Sequence, residues 1–344
     1  MKRTLVKFTL NALIIFLSLL ISSCNSSKNF QNTEIIDNRV VIAYVTSWSS
    51  VMPDPHHLTH INYAFGRVNS TFDGVRIDNE SRLREIVNLK NQNKKLKILL
   101  SIGGWESGRF SEMAADANYR KSFVNDCQRV VKEFGLDGID IDWEYPTSNA
   151  AGISASPDDK ENFTLLMNDL RKKLGKNQLL TLATSAGADY YDFPAFVQNV
   201  DFVNLMTYDM GIPPFHHSAL YPSQFSRLSG VESVELHLKN GVPLNKIVLG
   251  IPFYGKGKDR SLRDLKFNSV SESGFIEKWD DVAKVPYLVD NQGEMVYVYE
   301  NLQSINYKCD FILERKLRGA MFWEYSDDDE NNTLVNAIWG KLKN

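Results

Sequence analysis

The sequence predicts an α/β chain built as a closed (β/α)8 TIM barrel, with a small insertion between strands 7 and 8. Three observations carry that expectation. Eight short apolar runs alternate with segments of helical periodicity, which is the order of parallel βα units. Polar side chains gather at the C-terminal ends of those runs, where barrels carry their sites. No glycine-rich phosphate fingerprint follows the first run, which disfavours the alternative, an open doubly wound sheet.

In chain order, strands are expected at residues 40–44, 60–65, 97–102, 138–142, 179–183, 202–206, 247–251 and 319–322. Most are β-branched or leucine-rich, as buried strands require. Helices are expected at 80–92, 118–134, 160–174, 231–239, 302–316 and 332–342. Several place apolar residues three and four apart. The interval of about 256–299 is too long for a simple connection. It contains Phe275, Ile276 and Trp279 and the alternating run 295–299, so a hairpin is expected around Asn291-Gln292-Gly293. Residues 39–344 are therefore expected to form one barrel domain, with no internal repeat or low-complexity tract.

Of the 344 residues, 43% are hydrophobic, enough for a sizeable core. The formal charge of −3 supplies no electrostatic footprint for nucleic acid, and none is expected as a partner.

At the N-terminus, Lys2, Arg3 and Lys7 precede an apolar stretch at 10–20 that is short for a membrane span. Ser22 and Ser23 then precede Cys24, which resembles a bacterial lipobox. Residues 1–23 are expected to be a lipoprotein signal peptide and 24–38 a polar tether. Cys24 would take the lipid and anchor the exported protein to the bacterial cell envelope, at the outer membrane. The alternative is a plain signal peptide with an incidental cysteine. Cys127 and Cys309 fall on the third and seventh barrel helices, on opposite sides of the ring. A disulfide needs Cα atoms within about 7 Å, so these two are expected to be unbonded.

The chemistry concentrates in Asp137-Gly138-Ile139-Asp140-Ile141-Asp142-Trp143-Glu144-Tyr145-Pro146. Alternate side chains of a strand share a face. Asp140, Asp142 and Glu144 therefore point one way, into the barrel, and Ile139, Ile141 and Trp143 point towards the helices. Carboxyl groups crowded in a dry site do not all ionise. One so placed keeps its proton near neutral pH and serves as an acid. Glu144, last and nearest the barrel mouth, is the natural donor. The alternatives are a Mg²⁺ or Ca²⁺ site or a buried acidic network without chemistry. His56, His57, His216 and His217 lie on expected loops, where solvated side chains are the rule. No Cys or His stands at ligand spacing to them, so neither a metal nor a cofactor is expected.

These residues resemble glycoside hydrolase family 18. The acidic segment is similar to that family's D-x-x-D-x-D-x-E signature, with every acidic position present. Ser101-Ile102-Gly103-Gly104-Trp105 resembles its S-x-G-G motif on strand three. Met206-Thr207-Tyr208-Asp209 resembles its strand-six motif, and Gly319-Ala320-Met321-Phe322-Trp323 its strand-eight ending. Tyr44, Trp48 and Phe65 match aromatic positions after strands one and two. The resemblance runs from about Val40 to the C-terminus.

The resemblance implies a chitinase that hydrolyses β-1,4-linked N-acetylglucosamine polymers, chitin and chitooligosaccharides, with retention. Its nucleophile is the substrate's own acetamido oxygen, an exception to the two-carboxylate rule. It implies that Glu144 protonates the leaving oxygen and later activates water. Asp142 would bind the acetamido N–H and share a proton with Asp140. Tyr208 would hold the acetamido carbonyl, and Trp323 would floor the −1 sugar. Met206, Asp209, Tyr145 and Trp105 would shape the pocket, and Gly103 and Gly104 would let backbone approach the sugar.

Two other functions stay open: an endo-β-N-acetylglucosaminidase acting on N-glycans or peptidoglycan, and a non-catalytic chitin-binding protein. The presence of all three inward carboxyls disfavours the second. The short insertion favours a shallow cleft and endo cutting. A monomer is expected.

Overall fold

The structure, a computed structural model, describes residues 39–258, 270 and 273–343. The expected signal segment, tether and Cys24 lie outside the described residues, as does part of the insertion. From the start of the barrel, the elements are β1 (Val40–Thr46), β2 (His60–Val68), β3 (Val75–Ile77), α1 (Glu80–Asn88), β4 (Lys97–Gly103), α2 (Phe110–Ala115) and α3 (Ala117–Phe134). There follow β5 (Gly138–Asp142), α4 (Asp159–Leu174), β6 (Leu179–Ser185), α5 (Phe193–Phe196), β7 (Phe202–Met206), α6 (Gly230–Lys239) and β8 (Ile247–Pro252). The chain continues through β9 (Lys256–Gly257), β10 (Ile276–Asp280), β11 (Val285–Val289), β12 (Met295–Val298), α7 (Leu302–Arg315), β13 (Gly319–Trp323) and α8 (Thr333–Lys343).

Strands β1, β2, β4, β5, β6, β7, β8 and β13 pair in parallel, each with the next. β1 pairs with both β2 and β13, so the sheet closes into the expected (β/α)8 barrel. The alternation of β5 sorts its side chains as the sequence implies. Ile139 and Ile141 are fully buried in the core between sheet and helices, while Asp140 faces the interior. Trp143 continues the outward set, stacking on Phe110 of α2 with centroids 5.2 Å apart and an interplanar angle of 13°. Asp116 caps α3 by accepting from the backbone N–H groups of Asn118 and Tyr119, and Gly135 ends that helix at φ 66°. Cys127 and Cys309 are free and buried.

Strands β9 to β12 form a separate antiparallel sheet in the order β10-β11-β12-β9. The β11–β12 turn is organised by Asp290, whose carboxylate accepts from the backbone N–H groups of Gln292 and Glu294. Leu288, Val296, Tyr297 and Tyr299 form this sheet's own small core.

The histidines depart from the expectation in one half. His216 and His217 are not solvated: each is 1% exposed. The inserted sheet covers their loop. His216 Nε2 lies 3.0 Å from Asp280 of β10, and His217 packs edge-on against the Tyr254 ring. Residues 75–77, 110–115 and 193–196 are regular elements that were not expected, each too short to show a period.

Candidate active site

The site assembles at the C-terminal mouth because every barrel strand ends there. Asp140 sits at its base, fully buried. Its Oδ2 accepts from Tyr44 Oη at 2.9 Å and Ser101 Oγ at 2.8 Å. Its Oδ1 accepts from Thr181 Oγ1 at 2.6 Å and Asn204 Nδ2 at 3.2 Å. These donors come from β1, β4, β6 and β7, and they fill the lone-pair directions of a carboxylate. Burial pushes Asp140 above the ordinary carboxylate range, and the four hydrogen bonds pull it back.

Asp142 lies one step higher and 3% exposed. Its Oδ1 is buried with no hydrogen-bond partner among the described residues. Burial, then the charges of Glu144 and Asp140, push Asp142 well above the usual range. Glu144 follows at the strand end. Burial, opposed by a hydrogen bond from Tyr145 and reinforced by the charge of Asp209, raises it to about 7.

Around these carboxyls runs a cleft of about 470 Å³, within the size range of small-molecule sites. Asp142, Glu144, Tyr145, Met206, Tyr208 and Asp209 line it, with Tyr44, Phe65, Trp105 and Trp323. Trp323 stacks on Phe65 with centroids 5.6 Å apart at 21°, and Tyr44 lies 5.6 Å from it. Trp48 and Trp105, 62% and 52% exposed, are cleft aromatics and not core.

Gly103 and Gly104 stand behind the cleft wall. A Cβ on Gly103, at φ 131°, would lie 1.9 Å from the Asp142 carbonyl oxygen. One on Gly104 would lie 2.6 Å from the Phe65 ring. The close approach that needs glycine is therefore to Asp142 and Phe65, and Gly104 N–H donates to the Asp142 carbonyl at 2.8 Å.

Sequence reasoning missed Arg67, Tyr254 and Lys256. Arg67 and Tyr254 line the cleft, and Lys256 pairs with Asp209 at 2.6 Å. Tyr254 stands just beyond β8, at a strand end where polar side chains are expected to gather, and that position could have found it. Among the described residues no cluster of three His, Cys, Asp or Glu is placed to hold a metal ion.

A closed parallel barrel with a protonatable carboxyl in an aromatic-lined cleft at its mouth has the parts a barrel glycosidase needs. Residues 40–328 match the model of glycosyl hydrolases family 18, and the chain belongs to that family. It is 30% identical to Chitinase A1 of Niallia circulans over 433 aligned positions, covering 95% of this chain and 62% of that protein. It thus spans less than two thirds of that relative. Chitinase B of Serratia marcescens is 29% identical, over 86% of this chain and 80% of its own. A solved glycoside hydrolase family 18 N-acetylglucosaminidase from Paenibacillus barengoltzii superposes with TM-score 0.80 at 36% identity, covering 88% of this chain and all of that one.

Proposed function

We propose that the chain is a chitinase, hydrolysing β-1,4-linked N-acetylglucosamine polymers with retention through the substrate's own acetamido group. The observation that carries this is the orphaned, buried Oδ1 of Asp142 directly behind the raised carboxyl of Glu144. A buried acceptor without a donor is costly, and an acetamido N–H supplies that donor. Asp142 then orients the amide so that its carbonyl oxygen reaches the anomeric carbon. Glu144 gives its proton to the leaving oxygen and afterwards takes one from water. Tyr208, buried on the cleft wall, fits the acetamido carbonyl. Trp323 offers the apolar face under the sugar, and Asp140, fixed by its own four hydrogen bonds, is the neighbouring charge that helps raise Asp142.

The test is turnover of a chromogenic chitotrioside. Glu144→Gln keeps shape and removes the proton, so kcat is expected to fall by roughly 10²–10⁴-fold, with a melting temperature that matches wild type near pH 4. Turnover within tenfold of wild type would remove Glu144 from the acid role.

A second reading concerns the mode of cutting. The solved relative just described, matched over its full length, is an N-acetylglucosaminidase, which favours release of single sugars over internal cleavage. Product analysis on defined chitooligosaccharides separates the two.

The N-terminal basic residues, apolar stretch and Cys24 support export with a lipid on Cys24. Mass spectrometry of the mature N-terminus tests this: an unlipidated N-terminus elsewhere would remove it.

A further inference from the structure

Asp209 is held by three groups from three segments. Its Oδ1 accepts from Tyr254 Oη at 2.5 Å, just beyond β8, and from Lys256 Nζ at 2.6 Å, on β9. His217 Nδ1, in the loop after β7, lies 3.7 Å away. About half of the Asp209 side chain, 52%, is open to the cleft, whereas Lys256 is 24% exposed behind it. The backbone of Lys256 is fixed by antiparallel pairing with Val298 of β12, and Lys258 N–H donates to the Val296 carbonyl at 2.8 Å. The inserted sheet thus delivers one cation to the wall beside the acid.

We propose that Lys256 is a positioning residue for the acid step: by pairing Asp209 it sets the charge that faces Glu144 during proton transfer. The inference rests on Glu144 being the acid. Burial pushes Asp209 up, yet His217 and Lys256 outweigh it and hold Asp209 well below the usual carboxylate range. Asp209 is therefore a permanent anion, and it acts on Glu144 to retain the proton. The other groups facing Glu144 are Asp142, Tyr145, Tyr191, Tyr208 and Tyr254. None of them is a cation; Arg67, which also lines the cleft, is paired with Asp78 at 2.8 Å, and burial lowers the pKa of His217, so Lys256 is the lasting positive charge on Asp209. Without it the field of Asp209 is uncompensated. Glu144 then holds its proton to higher pH but gives it up less readily to a leaving oxygen.

The experiment is the pH profile of kcat on a chromogenic chitotrioside for wild type, Lys256→Met, Lys256→Gln and Lys256→Arg, with Glu144→Gln as control. Both neutral variants are expected to move the alkaline limb up by about 0.5–1 pH unit and to lower kcat at pH 6. Lys256→Arg is expected to restore the wild-type limb, because it restores the charge. An unmoved limb in both neutral variants, with kcat lowered equally at every pH, would overturn the inference while Glu144 stands as the acid. Loss of the limb's dependence on Glu144, shown by full turnover in Glu144→Gln, would overturn the acid assignment itself.

Discussion

At the scale of residues, three carboxyls on one face of β5 do three different things because their surroundings differ. Asp140 is saturated with donors, Asp142 lacks one, and Glu144 opens to the cleft. The raised pKa of Glu144 has two consequences. A general acid must be protonated, so activity is expected to fall as pH rises through about 7. Stability follows the same sign. The folded state binds the Glu144 proton more tightly than the unfolded chain, whose value is the ordinary 4.5. The contribution is fully present below 4.5 and is lost as pH rises from there through about 7. Glu144→Gln escapes that loss, so it is expected to be more stable than wild type at pH 8 by an amount on the order of 1–3 kcal/mol, and to match it near pH 4. Urea midpoints at the two pH values check this; a variant less stable at pH 8 would contradict the burial of the acid. The alternation within ten residues made these three side chains legible. Their division of labour was not, because the donors to Asp140 belong to four other strands, and no local pattern announces which strands become neighbours. Lys256 and His217 were hidden for the same reason.

At the scale of elements, β4 and β5 meet the site through glycine. Gly103 carries both a positive φ and a Cβ direction blocked by the Asp142 carbonyl. Gly103→Ala is therefore expected to cost about 4 kcal/mol or more, or to leave no soluble protein. Gly135→Ala is the control. That position also has positive φ but nothing within 4 Å, and about 1–2 kcal/mol is expected there. Thermal melts of the pair measure the difference, and equal costs would mean that β4 does not crowd Asp142. The eight barrel strands were legible because a buried parallel strand is a short apolar run with turn signals on either side. β3, α2 and α5 were not, since three to six residues span less than two turns or one clear alternation. The burial of His216 depended on Asp280, 64 positions further along the chain, and loop polarity alone pointed the other way.

At the scale of the whole molecule, the proposed reaction has the cleft supply an acid and an amide holder and leave the nucleophile to the substrate. Asp209, the remaining cleft carboxylate named above, is tied to Lys256 and Tyr254 and is poorly placed to attack. Polymers whose −1 sugar lacks the acetyl group are thus expected to bind but to be cut slower by roughly 10²-fold or more. Comparing rates on fully acetylated and partly deacetylated chitooligosaccharides checks this. Trapping a sugar on any carboxylate here would contradict it. The hydrogen bonds of Asp140 carry a further consequence for how the enzyme is lost on unfolding. Its four donors come from four strands besides its own, and they converge only in a ring that has shut. A half-assembled sheet would strand that carboxylate in apolar surroundings, so opening any one segment strains the others. Ring closure is then a condition of catalytic competence, because the acid stands above a carboxylate whose donors only the closed ring brings together.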